Sequence, residues 1–279
     1  MSQHAPADRH EPPSDPTLSA VVDPAVLETL VDAAGALVEE SVVRVGPGGL
    51  HLRAQDPATV ALVDVDLPAE AFDRYDADAE EAPLAVGLRL DRLADLVSLA
   101  GADERVRLSL DADLRTLHVG VGELSYTLAL VDVDAVRDPP DEMALDDQLV
   151  AGVTLPGRAV AGAVRAAGMV ADHCALGVDP AERQFYVLAE GDTDAVDVAH
   201  DAADCTAFEG GDAHALFSVS YLDAVSGVVP ADADATLRLG EDAPVELAFE
   251  RAGCSVTYLV APPPTGTVRT TTPPGPGRD

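Results

Sequence analysis

Apolar and polar residues follow the same pattern twice along this chain. An apolar period of helical spacing extends over residues 23–40, around Ala33-Ala34-Gly35, and a second extends over residues 156–172, around Ala166-Ala167-Gly168. In each copy a strand-like apolar segment, a turn rich in Gly, Asp or Pro and another strand-like segment follow. Because the type, order and spacing of the elements agree, we predict two copies of one folded unit rather than a solenoid, whose repeats are about 20–50 residues long.

Each copy continues with a further helix and two extended segments. Asp91 and Ser220 are the predicted N-caps of these helices, because short oxygen-bearing side chains accept hydrogen bonds from the first free backbone N–H groups. The segments that follow alternate apolar and polar residues, as in Arg107-Leu108-Ser109-Leu110 and Val245-Glu246-Leu247. This is the period of a strand with one buried face. The pattern therefore predicts the α+β class.

Composition divides the chain into five parts. Residues 1–16 and 263–279 are rich in Pro and polar residues and lack an apolar period, so we expect disordered tails. Residues 17–131 and 148–262 are the two expected domains, and residues 132–147 form an acidic connector with apolar residues interleaved. Since those apolar residues need a surface to pack on, we expect the connector to lie extended along the domains.

Charge is strongly unbalanced. Fifty Asp and Glu residues stand against 17 basic residues, all of them Arg, which gives a formal net charge of -33 at pH 7. Carboxylates retain water and cations, and at molar salt the Debye length falls to about 3 Å, so repulsion between like charges is screened. This favours a protein adapted to a high-salt cytoplasm. An acidic protein that mimics nucleic acid or binds a basic partner has the same composition, which leaves both interpretations open.

Membrane insertion and disulfide formation are not indicated. The sequence has no run of 18 apolar residues and no apolar signal core near its first residue, so we expect a cytoplasmic protein. Cys174, Cys205 and Cys254 are odd in number and widely spaced. We expect free thiols and no metal site.

Catalytic motifs are not evident either. Asp172-His173-Cys174 are adjacent at the end of a predicted helix, where the helix dipole alone explains a His. Gly46-Pro47-Gly48-Gly49 lacks the Lys of a phosphate loop. The turn at 190–194 lacks the later acidic ligand of a calcium loop. We therefore predict a protein that is not an enzyme and needs no cofactor.

Several segments match one known family in the right order. They are residues 50–60, 124–132, 169–173, 185–193, 211–218 and 256–262. Through them the chain resembles the archaeal and eukaryotic-type DNA sliding clamps, the proliferating cell nuclear antigen family, and above all its halophilic archaeal members. The resemblance extends over about residues 18–262.

The resemblance implies a two-domain clamp built from duplicated βαβββαβββ units. Three subunits would form a ring, with helices lining the hole and sheets outside. Duplex DNA would be held topologically, and DNA polymerase, clamp loader, ligase and nucleases would be tethered to it. Subunits would join through edge strands in segments 114–121 and 183–188. The interface residues expected there are Leu114, Leu117, Val119, Val121, Phe185 and Val187.

The resemblance also implies a client pocket beneath the connector, which takes a short motif with a Gln and apolar or aromatic anchors. The residues implied are Gln55, Val60, Leu62, Val133, Pro139, Pro140, Pro244, Ala261 and Pro262. Apolar residues would bury the anchors, while Asp56, Asp138 and Asp141 would meet basic residues that flank the motif. For Leu62 and Val133, ordinary packing at a domain joint explains the residue type equally well.

The helices expected to line the hole depart from the family pattern because they carry few bases. Their DNA-facing candidates Arg92, Arg158 and Arg165 stand beside Glu28, Asp32, Asp95 and Asp223. Clamps usually hold DNA through basic residues that release counterions from phosphate. Two functions stay open: a replication clamp in which hydrated cations bridge acidic helices and DNA, or a clamp-like paralogue that acts as a client scaffold or heterotrimer subunit. We favour the first.

Overall fold

The computed structural model describes residues 13, 15–78, 82–101, 103–137, 139 and 147–264. The first half consists of β1 (Leu18–Val22), α1 (Pro24–Gly35), β2 (Glu40–Gly46), β3 (Gly49–Gln55), β4 (Ala61–Pro68), β5 (Arg74–Ala77), β6 (Leu84–Arg89), α2 (Leu90–Val97), β7 (Val106–Asp111), β8 (Thr116–Val121) and β9 (Leu124–Ala129). The second half consists of β10 (Ala151–Pro156), α3 (Gly157–Ala167), β11 (His173–Asp179), β12 (Gln184–Glu190), β13 (Ala195–Asp201), β14 (Ala207–Glu209), β15 (Ala213–Ser218), α4 (Val219–Val228), β16 (Asp234–Leu239), β17 (Val245–Arg251) and β18 (Cys254–Val260). The order of elements is the same in both. Most of the predicted tails and half of the connector lie outside the described residues.

The helix starts follow from local chemistry. At α1 the Asp23 carboxylate accepts a hydrogen bond from the Ala25 N–H at 3.0 Å, and Pro24, which has no N–H to leave unpaired, is the first helical residue. The N-caps predicted for α2 and α4 are wrong by two residues. Strands β6 and β15 run directly into these helices, so Asp91 and Ser220 lie in the first helical turn instead.

The strands of the described residues form three antiparallel sheets. A five-stranded sheet has the order β5-β1-β7-β8-β9, and a four-stranded sheet has the order β13-β12-β11-β15. The third sheet has nine strands in the order β14-β10-β16-β17-β18-β4-β3-β2-β6. It crosses from the second half to the first where β18 pairs with β4, with Tyr258 opposite Val63 and Val260 opposite Ala61.

The duplication is visible in the sheets. Strands β5-β1-β7-β8-β9 correspond to β14-β10-β16-β17-β18, and β4-β3-β2-β6 correspond to β13-β12-β11-β15. In this correspondence β9 is the counterpart of β18, and β13 is the counterpart of β4. The pairing of β18 with β4, which we call the internal joint, therefore unites the halves. Within the described residues, β9 and β13 each pair on one side only.

The predicted α+β clamp fold is confirmed, with more strands than expected. Five strands rather than three separate the two helices of each half. Two of the extra strands, β5 and β14, are short and largely exposed, so they have no apolar face for a sequence pattern to show. The core is continuous through both halves and includes Leu27, Phe185, Phe217 and Tyr258, all fully buried.

The predicted edge strands are wrong. Strand β8 contains Leu117, Val119 and Val121 and lies between β7 and β9, while β12 contains Phe185 and Val187 and lies between β11 and β13. All five side chains are buried in the core of the subunit. Their strong alternation marks a strand in the interior of a sheet. Leu114 lies in the turn between β7 and β8 and is 72% exposed.

Across the described residues, no helix combines the length and the apolar composition that crossing a bilayer would need.

Candidate functional site

One group of predicted client-pocket residues lies together where β4 begins and β18 ends. The Ala261 N–H donates to the Val60 carbonyl at 2.8 Å, and Pro262 follows half-buried. Pro244 lies directly before β17, whose first residue pairs with the last residue of β18. Because all four side chains are only partly covered, they form an apolar surface next to the internal joint. We call this surface the client cleft.

The other predicted pocket residues that the structure describes lie beside this surface or line separate cavities. Leu62 is buried in β4, two residues after Val60 and opposite Leu259 of β18, and Val133 lines a separate cavity of about 250 Å³ against β6. Gln55 lines a cavity of about 690 Å³, and Pro139 is buried. Pro140 lies outside the described residues, as do Asp138 and Asp141.

Gln55 was predicted to line a pocket beneath the connector, but the other residues that line this cavity were not predicted from the sequence. The end of α1 and the segment after it form one wall with Leu37 and Val38, and the connector forms the opposite wall with Ala135 and Val136. The cavity lies at the connector and is largely apolar, which suits an apolar anchor. Gln55 and the apolar residues interleaved in the acidic connector were the sequence signals for it.

The loop that leads to Val60 is organised by one carboxylate. Asp56 is 3% exposed, and its Oδ1 accepts from the N–H groups of Val60 and Ala61, both at 2.7 Å. Its Oδ2 accepts from the Ala58 N–H at 2.9 Å and from the Tyr221 hydroxyl at 2.7 Å. Tyr221 belongs to α4, so Asp56 also ties the loop to the second half of the chain.

These bonds decide the protonation of both partners. Burial by itself would raise the pKa of the Asp56 carboxyl, but the hydrogen bonds that it accepts outweigh burial and lower its pKa below the ordinary value. The hydrogen bond to Asp56, together with burial, raises the pKa of Tyr221 to about 12. The expectation that Asp56 meets basic client residues is wrong, because the carboxylate faces inward and is satisfied by its own chain.

Two of the DNA-facing candidates are neutralised by acids. Arg92 lies 3.9 Å from both Asp91 and Asp95, and the Arg158 guanidinium pairs with Asp232. Each pair is exposed to solvent, so its contribution to stability is small. The pairing nevertheless leaves little uncompensated positive charge at Arg92 and Arg158 for phosphate.

Arg165 differs from the other two. It is exposed in the last turn of α3 and lines an open cavity of about 550 Å³ with Met169, Asp172 and Asp223. Among the described residues no carboxylate lies within ion-pair distance of it. On α1 the corresponding helix face carries acids instead.

The outer strands β9 and β13 differ in the side chains along their unpaired edges. On β9, Tyr126 is 41% exposed, whereas its counterpart Tyr258 on β18 is fully buried. On β13 the side chains alternate between half-buried and exposed, as in Val196 and Asp197. An edge with partly exposed Tyr and Val is suited to pairing with another strand.

The described residues were compared with the requirements of a metal site and of a reactive thiol. No cluster of three His, Cys, Asp or Glu side chains with metal-binding geometry occurs in the part of the chain that the structure describes. Burial raises the pKa of Cys174 to about 12 and of Cys254 to about 11. Both thiols are therefore protonated at neutral pH, and a protonated thiol is a weak nucleophile.

Comparisons with known proteins agree on one family. Residues 19–135 match a profile described as proliferating cell nuclear antigen, N-terminal domain. The DNA polymerase sliding clamp of Natronomonas pharaonis is 42% identical over 245 residues, which cover 87% of this chain and 97% of that protein. The DNA polymerase sliding clamp of Halobacterium salinarum is 41% identical over 245 residues, with the same coverage.

A solved structure of the same kind matches the fold. The structure described as the C-terminal region of FEN-1 bound to A. fulgidus PCNA superposes with a TM-score of 0.81. Its sequence is 30% identical, and the match covers 91% of this chain and 100% of that one.

Proposed function

The chain belongs to the proliferating cell nuclear antigen family of DNA polymerase sliding clamps, and we propose that three copies of it close into a ring around duplex DNA. The ring tethers DNA polymerase and other replication and repair enzymes and raises their local concentration at the primer end. Two clamp domains, residues 17–131 and 148–262, are joined by the connector of residues 132–147.

The internal joint carries the proposal for the ring. Strands β9 and β13 are the counterparts of β18 and β4, so the β9 edge of one subunit can pair with the β13 edge of the next in the same antiparallel way. Transferring the register places Tyr126 opposite Val196, as Tyr258 stands opposite Val63. We call this the subunit joint. Three subunits with two halves each then give six similar units around the ring.

Tyr126 supports this pairing. At the internal joint the hydroxyl of buried Tyr258 donates to the Ala33 carbonyl on α1 at 2.8 Å. The counterpart of Ala33 is Ala166 on α3. In the ring, Tyr126 would be covered in the same way and would donate to the Ala166 carbonyl of the next subunit.

DNA is held by enclosure rather than by contact. With Arg92 and Arg158 paired to acids, few bases remain to release counterions, and molar salt weakens phosphate attraction further. Hydrated cations bridge the acidic helices and DNA. The clamp acts without catalysis or cofactor in a high-salt cytoplasm, associated with the nucleoid and placed on DNA by a clamp loader.

Clients bind at the client cleft. Val60, Pro244, Ala261 and Pro262 are the anchor-binding residues, and Gln55 lines the adjoining cavity under the connector. The solved relative bound to a FEN-1 segment supports nucleases as one client class. Polymerase and ligase would use the same cleft through short motifs with a Gln and apolar or aromatic anchors.

Two measurements test the proposed function: the mass of the assembled protein and its retention on DNA. Light scattering at about 2–3 M KCl, where surface charges are screened, should give three times the subunit mass of 28.7 kDa. Loaded clamps should stay on circular duplex DNA and slide off linear duplex DNA. A monomer at micromolar concentration, or equal retention on both DNAs, would contradict the proposal. Assembly only with a second clamp protein would favour the heterotrimer alternative.

A further inference from the structure

We propose that the subunit joint is locked by an ion pair of opposite polarity to the one at the internal joint. Arg165 of one subunit lies between Asp95 and Glu123 of the next, and Met169 packs on the next subunit's Leu99. The inference rests on the proposed ring and names the contacts that close it.

The internal joint supplies the template. Arg251 at the end of β17 donates to Asp32 at 2.7 Å and to Glu28 at 3.5 Å, both on α1. These groups enclose a cavity of about 500 Å³ between α1 and α4. From α1 and the residue after it the cavity is lined by Val31, Asp32, Gly35 and Ala36, and from the second half by Ala224, Gly227, Val228 and Arg251.

The repeat gives each lining residue a counterpart. Buried Leu30 and Ala34 of α1 correspond to buried Ala163 and Ala167 of α3. The buried residues of α4 match those of α2 in order and spacing, which aligns these two helices as well. On one subunit the counterparts are Val164, Arg165, Gly168 and Met169, and on the next they are Asp95, Ser98, Leu99 and Glu123. Beyond the pair that contains Tyr126, the β8–β9 hairpin has two residue pairs fewer than β17–β18 has beyond Tyr258, so Glu123 lies in its turn.

The charges at these positions are complementary and reversed. At the internal joint the hairpin carries the base and the helix carries the acids. At the subunit joint α3 carries Arg165, while Asp95 and Glu123 come from the facing surface. If the facing surface met α1 instead of α3, Asp95 and Glu123 would lie against Glu28 and Asp32. Repulsion between like charges would therefore exclude that wrong pairing.

Exposure points to the same surface. Leu99 is 62% exposed and Met169 is 82% exposed, and both are counterparts of residues that line the internal joint. A face of α3 is also uncovered: Ala159 and Ala166 are half-buried and Gly162 is exposed. Their counterparts on α1 are Val26, Ala33 and Thr29, all buried. Small residues on α3 leave room for a close approach, since a Cβ at Gly162 would have no neighbour within 4 Å.

One consequence concerns DNA. Arg165 is the DNA-facing candidate without an ion pair among the described residues of its own subunit. At the subunit joint its charge is engaged by Asp95 and Glu123, so it contributes to closing the ring and little to binding phosphate. In the proposed ring, Arg165 would then leave no free positive charge in the acidic lining of the hole.

Charge reversal tests the ion pair. Assembly is followed by sedimentation velocity over a concentration series at about 1 M KCl, where a partly covered pair is screened less than surface charges are. Arg165→Glu should raise the concentration of half-assembly about tenfold or more, because three acids then face one another. Adding Asp95→Arg and Glu123→Arg to that variant should restore assembly to within about threefold of wild type.

Arg74→Glu is the control, because it makes the same change of charge on the exposed strand β5. It should assemble like the wild type, and circular dichroism should show all variants folded. The proposal is overturned if Arg165→Glu assembles normally, whether or not it keeps its retention on circular DNA, or if the triple variant assembles no better than Arg165→Glu. A wild-type protein that never forms a trimer would instead refute the ring itself.

Discussion

Replacing Tyr126 by Ala tests whether β9 is the edge that another subunit covers. In the isolated subunit 41% of Tyr126 is exposed, whereas its counterpart Tyr258 is fully buried. If the subunit joint copies the internal joint, the exposed part of Tyr126 becomes buried and its hydroxyl gains the Ala166 carbonyl. The variant removes both contributions from each joint of the ring.

The free energy that Tyr126 contributes to each subunit joint can be worked out if Tyr126 becomes as buried there as Tyr258 is. A Tyr side chain buries about 200 Å², so covering the exposed 41% of Tyr126 removes about 80 Å² from water and contributes about 2 kcal/mol. The hydrogen bond adds about 1 kcal/mol. We therefore expect Tyr126→Ala to weaken each joint about 100-fold. Tyr126→Phe keeps the ring and loses only the hydroxyl, so its effect should be about fivefold.

Sedimentation velocity over a concentration series at about 2–3 M KCl measures the assembly. Tyr258→Phe is the matched internal control: it removes the hydrogen bond to Ala33 and should lower the thermal midpoint without changing the assembly of folded protein. If folded Tyr126→Ala forms trimers at the same concentrations as the wild type, the transfer of the internal joint to β9 and β13 is refuted.

Two further changes test the client cleft and the loop behind it. Val60→Asp places an unpaired charge where an anchor is proposed to bind, and it should cost a few kcal/mol of peptide-binding free energy. Calorimetry in high salt measures this binding. If a folded, trimeric variant binds the peptide as the wild type does, the cleft lies elsewhere. Because the pKa of Asp56 is lowered in the folded state, its contribution to stability is present above the unfolded pKa and is lost as pH falls through the folded pKa. Tyr221→Phe removes one hydrogen bond that lowers this pKa, so acid unfolding should begin at a higher pH. The free energy of unfolding at neutral pH should fall by about 1 kcal/mol. An unchanged midpoint of acid unfolding would show that the hydroxyl does not stabilise the carboxylate.

The duplicated α+β fold could be predicted from the sequence because apolar periods report burial. The strand edges could not be predicted from the sequence, because an edge is defined by backbone groups that lack a partner and not by side chains. Strands β8 and β12 have the strong alternation that burial produces, and they lie inside their sheets. Strand β13 has half-buried Val196 and Val198 between exposed residues, a weak pattern that a free edge in an isolated subunit produces.

Of the residues proposed for the client cleft, Val60 and Ala261 were expected to lie together from the family resemblance, and the hydrogen bond between them confirms that contact. The role of Asp56 was missed because its partner Tyr221 lies on a helix of the other half. A carboxylate after a strand and before a Pro reads as a surface turn residue, and only the fold shows that four hydrogen bonds enclose it.

The sheet that runs unbroken from β14 to β6 has a mechanical consequence. Nine strands bonded edge to edge across both halves, reinforced by Tyr258 and by the bond between Asp56 and Tyr221, leave the subunit without a hinge at its middle. In the proposed ring, each subunit would therefore be a stiff arc. Opening that ring to admit DNA would have to separate β9 from β13 at one of the three subunit joints, so the strength of a subunit joint would set how long the closed ring stays on DNA.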